Sequence, residues 1–156
     1  MFQIVLMNPE IPQNTGSIAR TCAALQAPLH IVGKMSFEIN EKRVRRAGLD
    51  YWPYVSLTQH SCWEEYITSQ KPNKIWLIET KGDKLYHQAD FSKGDAIVFG
   101  RETTGLSDEF LAKFNRDQIL KIPIFCSGVR SLNLSNAVSI VAYEALRQIT
   151  TSRSPS

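Results

Sequence analysis

Short apolar runs separated by segments of helical period constrain this chain more than any other feature. Residues 4–7, 29–33, 74–79, 96–100 and 119–124 read as strands, and most are compact enough to be buried on both faces. A weaker strand signal covers residues 54–57. Between the runs, residues 15–26 carry Ile18, Cys22 and Leu25 at helical spacing, and residues 61–69 and 107–114 read as shorter helices. Residues 41–47 form a strongly basic helix candidate. Residues 134–149 give the clearest helix. Leu134, Val138, Val141, Ala142, Ala145, Leu146 and Ile149 make a broad apolar stripe, preceded by the cap-type residues Ser131, Asn133 and Ser135. Strands alternating with helices predict an α/β protein with a mostly parallel sheet and helices on both faces. The 156 residues suit a single domain over residues 1–150, followed by a polar tail over 151–156. A chain of this size buries roughly 68–70% of its unfolded surface and can carry its own core.

Composition excludes several alternatives. The net charge of +3 is too small to imply nucleic acid by itself, so the placement of charge carries the argument. The three cysteines, Cys22, Cys62 and Cys126, are widely spaced, which disfavours a zinc ribbon or dithiol site and suits thiols in a reducing cytosol. No apolar stretch approaches the ~18–20 residues that span a bilayer. The chain starts on a strand-like run without a basic leader, so a cytoplasmic protein away from membranes is expected. His30, His60 and His87 are scattered along the chain, with no ligand pair at helical spacing and no evident Ser/His/Asp arrangement, so neither a metal centre nor hydrolase chemistry is expected.

In parallel sheets, ligands sit beyond the carboxyl ends of the strands, so the strand-end loops matter most. Residues 8–20 read NPEIPQNTGSIAR. Here Asn14 is placed to cap a helix, Gly16 lets another group approach the backbone, and Arg20 is spaced to reach the same mouth. The segment reads equally as an ordinary capped helix with a surface arginine. Residues 100–107, GRETTGLS, bracket four residues with Gly100 and Gly105. A phosphate loop needs lysine where Leu106 stands, and no dinucleotide fingerprint is present. What remains is a glycine-lined loop for a small ligand, with Glu102 its only acid, or a plain strand-to-helix turn. Residues 122–137 end in a Ser/Asn cluster, Ser131, Asn133, Ser135 and Asn136, richer than one helix cap requires. Lys42, Arg43, Arg45 and Arg46 suit phosphate contacts, or a solvated helix face. Tyr51, Trp52 and Tyr54 follow, for base stacking or core packing.

Taken together, these segments resemble the SpoU branch of the SPOUT methyltransferases. The pattern N-x-G-x-I-x-R from Asn14 to Arg20 looks like that group's first motif. F-G-x-E-x-x-G-L from Phe99 to Leu106 looks like the second, and S-L-N-L-S-N-A from Ser131 to Ala137 the third. Asn8-Pro9-Glu10-Ile11-Pro12, the stretch from Lys42 to Asp50, and Tyr143-Glu144-Ala145 are similar to the minimal single-domain subfamily that 2′-O-methylates the wobble cytidine or uridine of tRNA.

The resemblance implies a C-terminal deep trefoil knot, a homodimer with the active site completed across the interface, and a tRNA anticodon stem-loop as partner. It implies S-adenosylmethionine as methyl donor, leaving as S-adenosylhomocysteine, with no metal. The cofactor contacts it implies are Ile78, Thr80, Gly100, Glu102, Gly105, Leu106, Ile122, Ser131 and Leu132. The catalytic set is Arg20 at the hydroxyl, with Asn14, Glu102, Ser131, Asn136 and Tyr143 in support. The resemblance also implies that Lys42, Arg43, Arg45 and Arg46 hold RNA phosphates. An rRNA methyltransferase and a non-catalytic RNA-binding protein of the same fold are the alternatives.

Overall fold

A computed structural model describes residues 1–35 and 50–152. The basic run with Lys42, Arg43, Arg45 and Arg46, and its expected helix over 41–47, lie outside the described residues, as do the last four residues of the tail.

Among the described residues, seven parallel strands form one sheet: β1 (Gln3–Met7), β2 (Leu29–Val32), β3 (Leu57–His60), β4 (Ile75–Ile78), β5 (Lys84–Leu85), β6 (Ala96–Phe99) and β7 (Ile119–Lys121). Their order is β3-β2-β1-β6-β4-β7-β5. Among the described residues, four α-helices accompany them: α1 (Pro12–Leu25), α2 (Trp63–Gln70), α3 (Asp108–Leu111) and α4 (Leu134–Thr151).

The expected alternation holds because successive strand residues face opposite sides of the sheet. Ile4 and Leu6 of β1 join Ile18, Cys22, Val138, Val141 and Ala142 in a core under α1 and α4. Val5 joins Val98, Leu77, Tyr66 and Leu111 in a second core under α2 and α3. Helices therefore cover both faces. The long stripe of α4 is buried at Val138, Val141, Ala142, Ala145 and Ile149. The three cysteines are free thiols, and burial pushes the Cys22 thiol up to about 12.

Several boundaries differ from expectation. The third strand runs over Leu57–His60, because Trp52–Tyr54 around Pro53 form a 3₁₀ turn instead. Helix α1 begins at Pro12, whose fixed φ suits a first helical position, so Ile11 and not Asn14 is the N-cap residue. Among the described residues a Cβ added at Gly16 meets nothing within 4 Å, so the approach of the Tyr51 hydroxyl to its carbonyl does not itself require glycine. The last strand stops at Lys121, and the two-residue β5 has no counterpart in the sequence reading.

One buried polar pair lies at the β2–β3 edge of the sheet. His30 Nδ1 and His60 Nε2 are 3.0 Å apart, both rings packed on Tyr66. Burial, with His60 opposing a second charge, lowers the His30 pKa to about 4. A histidine whose folded pKa is depressed stabilises the fold fully above its unfolded value, near 6.5. That contribution is lost as pH falls from there through the folded value. The expected loss between pH 7 and pH 4 is of the order of 3 kcal/mol, read as the difference in urea unfolding between wild type and His30→Gln. An equal wild-type-to-variant difference at both pH values contradicts it.

Candidate active site

The carboxyl ends of β4, β6 and β7 open into a cavity of about 810 Å³. That volume falls within the ~300–1,000 Å³ typical of small-molecule sites. Its walls come from residues 78–81 and 99–105, from Ile122 and Ile124, and from 130–134 leading into α4. The family resemblance implied cofactor contacts in each of these three strand-end segments. Of the expected cofactor residues, Ile78, Thr80, Gly100, Glu102, Gly105, Ile122, Ser131 and Leu132 all line it. Leu106 does not. Its side chain is buried with Leu111 and Val98 in the second core, because the loop turns inward at that point to start toward α3.

The loop after β6 is folded back on itself. Gly105 N–H donates to the Arg101 carbonyl at 2.9 Å, and Gly105 has φ +67°. A Cβ at Gly100 would stand 2.2 Å from the Gly105 carbonyl carbon and 2.3 Å from the Leu106 nitrogen. Only glycine lets the two strands of this turn touch. Ser107 then caps α3 by accepting the Phe110 N–H at 3.1 Å.

Polar side chains tie the cavity wall to both long helices. The Glu102 carboxylate accepts the backbone N–H groups of Glu10 at 2.8 Å and Ile11 at 3.1 Å. An anion here suits the positive end of the α1 dipole. Asn14 is buried, and its Oδ1 accepts from Asn133 Nδ2 at 3.0 Å. Asn133 Oδ1 in turn accepts the Ser135 and Asn136 N–H groups, capping α4. Asn14 therefore joins the starts of α1 and α4, where the sequence reading had it capping its own helix.

Arg20, Asn136 and Tyr143 are not among the residues lining this cavity. Six positions along a helix rotate a side chain about 120° away, so Arg20 cannot share the Asn14 mouth. It is exposed, with its guanidinium 5.3 Å from the centre of the Tyr51 ring. Asn136 and Tyr143 are exposed on α4. Tyr51 donates to the Gly16 carbonyl at 3.0 Å, and it and Trp52 pack against the first core, whereas Tyr54 is exposed.

Charged cavity residues to which the sequence reading gave no individual role are Glu79, directly after β4, Lys81, Arg101 inside the second motif and Arg130 directly before the third. Burial raises the Glu79 pKa, against the Leu106 N–H and Lys81, which favour its charged form. Among the described residues, no group of three His, Cys, Asp or Glu side chains is placed to hold a metal ion. Among them too, no helix is long and apolar enough to cross a membrane.

A parallel sheet with a glycine-turned cavity at its carboxyl edge defines an α/β ligand-binding enzyme fold. Residues 1–143 match the SpoU rRNA Methylase family, and the chain belongs to it. The tRNA (cytidine(34)-2'-O)-methyltransferase of Saccharophagus degradans is 46% identical, covering 96% of this chain and 96% of its own. A solved structure described as "Structural insights into the 2-OH methylation of C/U34 on tRNA" is 42% identical, with TM-score 0.87 over 98% of each chain. The SpoU methyltransferase AviRb of Streptomyces viridochromogenes, in complex with AdoMet, is 27% identical with TM-score 0.78, over 95% of this chain and 60% of its own.

Proposed function

We propose that this chain transfers a methyl group from S-adenosylmethionine to the ribose 2′-OH of the wobble cytidine or uridine of tRNA, in the cytoplasm. The observation that carries this reading is the cavity itself. It is built from the loops that bear the second and third motifs, in a chain 46% identical along nearly its whole length to a tRNA cytidine-34 methyltransferase.

The cavity fits the cofactor. Ile78, Phe99, Ile122 and Leu132 supply apolar walls for an adenine ring, and the strand ends supply backbone polar groups. When bound, S-adenosylmethionine supplies an electrophilic methyl on a sulfonium. The work left to the protein is aligning the hydroxyl in line and easing loss of its proton. The ribose oxygen gains the methyl, the carbon–sulfur bond breaks, and one proton is released. Arg20 orients the hydroxyl oxygen and a neighbouring phosphate, since arginine, with a free pKa near 12.5–13.8, is a poor base. Asn14, Glu102, Ser131 and Asn136 fix the surrounding geometry, and Tyr143 assists from α4. Lys42, Arg43, Arg45 and Arg46 hold anticodon-stem phosphates.

A second copy of the chain completes the site in this reading. Arg20, Asn136 and Tyr143 stand outside the cavity of their own chain. Apolar side chains on the same elements stay open to solvent, with Ile140 37% and Tyr143 51% exposed. A homodimer that buries them brings one protomer's Arg20 to its partner's cavity. The C-terminal knot belongs to the same reading. Strand β7 fills the place between β4 and β5, which are consecutive in sequence, and a Cβ at Gly82 would stand 2.7 Å from the Leu120 carbonyl carbon.

The test uses two tRNA transcripts differing only at the wobble ribose, one with a 2′-hydroxyl and one 2′-deoxy. Labelled methyl is expected on the first and absent from the second. Equal labelling of both, or transfer to rRNA alone, overturns the assignment.

A further inference from the structure

Glu79 is a cavity residue to which the reading above gives no role. It is the first residue after β4, half-buried, beside Ile78 and Thr80 in the wall. Its carboxylate lies against the folded-back loop, where a Cβ on Gly105 would stand 2.6 Å from Oε1 and 2.7 Å from Oε2. The Leu106 N–H favours its charged form from the same side. The other glutamate of this wall, Glu102, is committed to the N–H groups of Glu10 and Ile11. An ionised carboxylate has about four acceptor positions, so Glu79 keeps capacity for a ligand's donors. A carboxylate withdrawn from water is costly unless donors meet it.

We propose that Glu79 accepts hydrogen bonds from the ribose hydroxyls of the bound cofactor and so sets the cavity's preference for a ribonucleoside. This rests on the S-adenosylmethionine reading of the cavity. A neutral residue at this position could seat the adenine equally well, but would leave the hydroxyls with a weaker acceptor. Acidic side chains at strand ends take the ribose hydroxyl of nucleotides in other parallel-sheet folds for the same reason: a charged acceptor beside a backbone-lined cleft.

The experiment is calorimetric titration of the full chain with S-adenosylhomocysteine and its 2′-deoxy and 3′-deoxy forms, for wild type, Glu79→Gln and Glu79→Ala. One charge-assisted hydrogen bond is worth about tenfold in affinity. Wild type is expected to bind at least one deoxy form about tenfold more weakly than the parent. Glu79→Ala is expected to bind all three alike, with Glu79→Gln intermediate. Wild type binding all three equally overturns the inference, with no variant needed. So does a deoxy penalty that persists undiminished in Glu79→Ala. Failure of wild type to bind S-adenosylhomocysteine at all overturns the cofactor reading itself, and is distinguishable for that reason.

Discussion

Replacing Arg20 with alanine is expected to lower methyl transfer by roughly 10²–10⁴-fold while leaving S-adenosylhomocysteine affinity unchanged. The separation of the two effects follows from geometry. Arg20 does not line the cavity formed by its own chain, and its guanidinium rests over Tyr51 on the exposed side of α1. In the proposed role, its removal takes away a group at the hydroxyl without touching the cavity wall. Arg20→Lys is expected to recover little, because a point-like ammonium cannot hold a hydroxyl and a phosphate together as a planar fork does. Single-turnover transfer and calorimetry on the same preparation provide the check. Parallel loss of transfer and of cofactor affinity makes Arg20 structural and removes it from the reaction.

The second large effect is expected at Gly100. An added methyl would lie 2.2 Å and 2.3 Å from backbone atoms of Gly105 and Leu106, which have no rotamer by which to withdraw. The turn over residues 100–106 must therefore open. Overpacking costs about 1–3 kcal/mol, and contact with backbone on both sides places Gly100→Ala at the upper end. For a chain of this size that is a fall in Tm of roughly 6–12 °C. S-adenosylhomocysteine binding is expected to disappear with it, since the same turn supplies one wall of the cavity. Gly16→Ala is the matched control. Its added methyl meets nothing within 4 Å, and alanine is the better helix former by about 1 kcal/mol. Unchanged Tm and cofactor affinity in Gly100→Ala would show that the turn is not held as described.

Arg20 and Gly100 also mark where sequence reasoning reached and where it stopped. The strands with buried apolar runs were legible because a strand covered on both faces leaves few polar positions, as in β6, where all four residues are buried. β3 was displaced because its own residues alternate weakly, with His60 its one buried position, while the apolar residues before it belong to a proline turn. β5 has two residues and no periodicity to read.

At the site, the loops over residues 100–107 and 122–137 were legible from glycine and polar clustering at strand ends, whereas residues 78–81 and the individual cavity contacts came through the family resemblance. The role of Asn14 was not. Local capping rules see only neighbours along the chain, whereas the group at the start of α1 is Glu102, contributed from the loop after β6. Arg20 was expected near the same mouth as Asn14, but six positions along α1 turn it to the exposed side of the helix, over Tyr51. Glu79 lies in the segment 78–81 that the resemblance placed at the cofactor, but it received no role of its own because none of the three motifs contains it. Its position became evident only once Gly105 was seen to lie beneath its carboxylate.

The most direct measurement is transfer of labelled methyl from S-adenosylmethionine to unfractionated tRNA, followed by nucleoside analysis. Label recovered as 2′-O-methylcytidine or a 2′-O-methyluridine, and lost with Arg20→Ala, is the predicted result. Label on a base, or no transfer to tRNA by a chain that binds S-adenosylhomocysteine, would contradict the account.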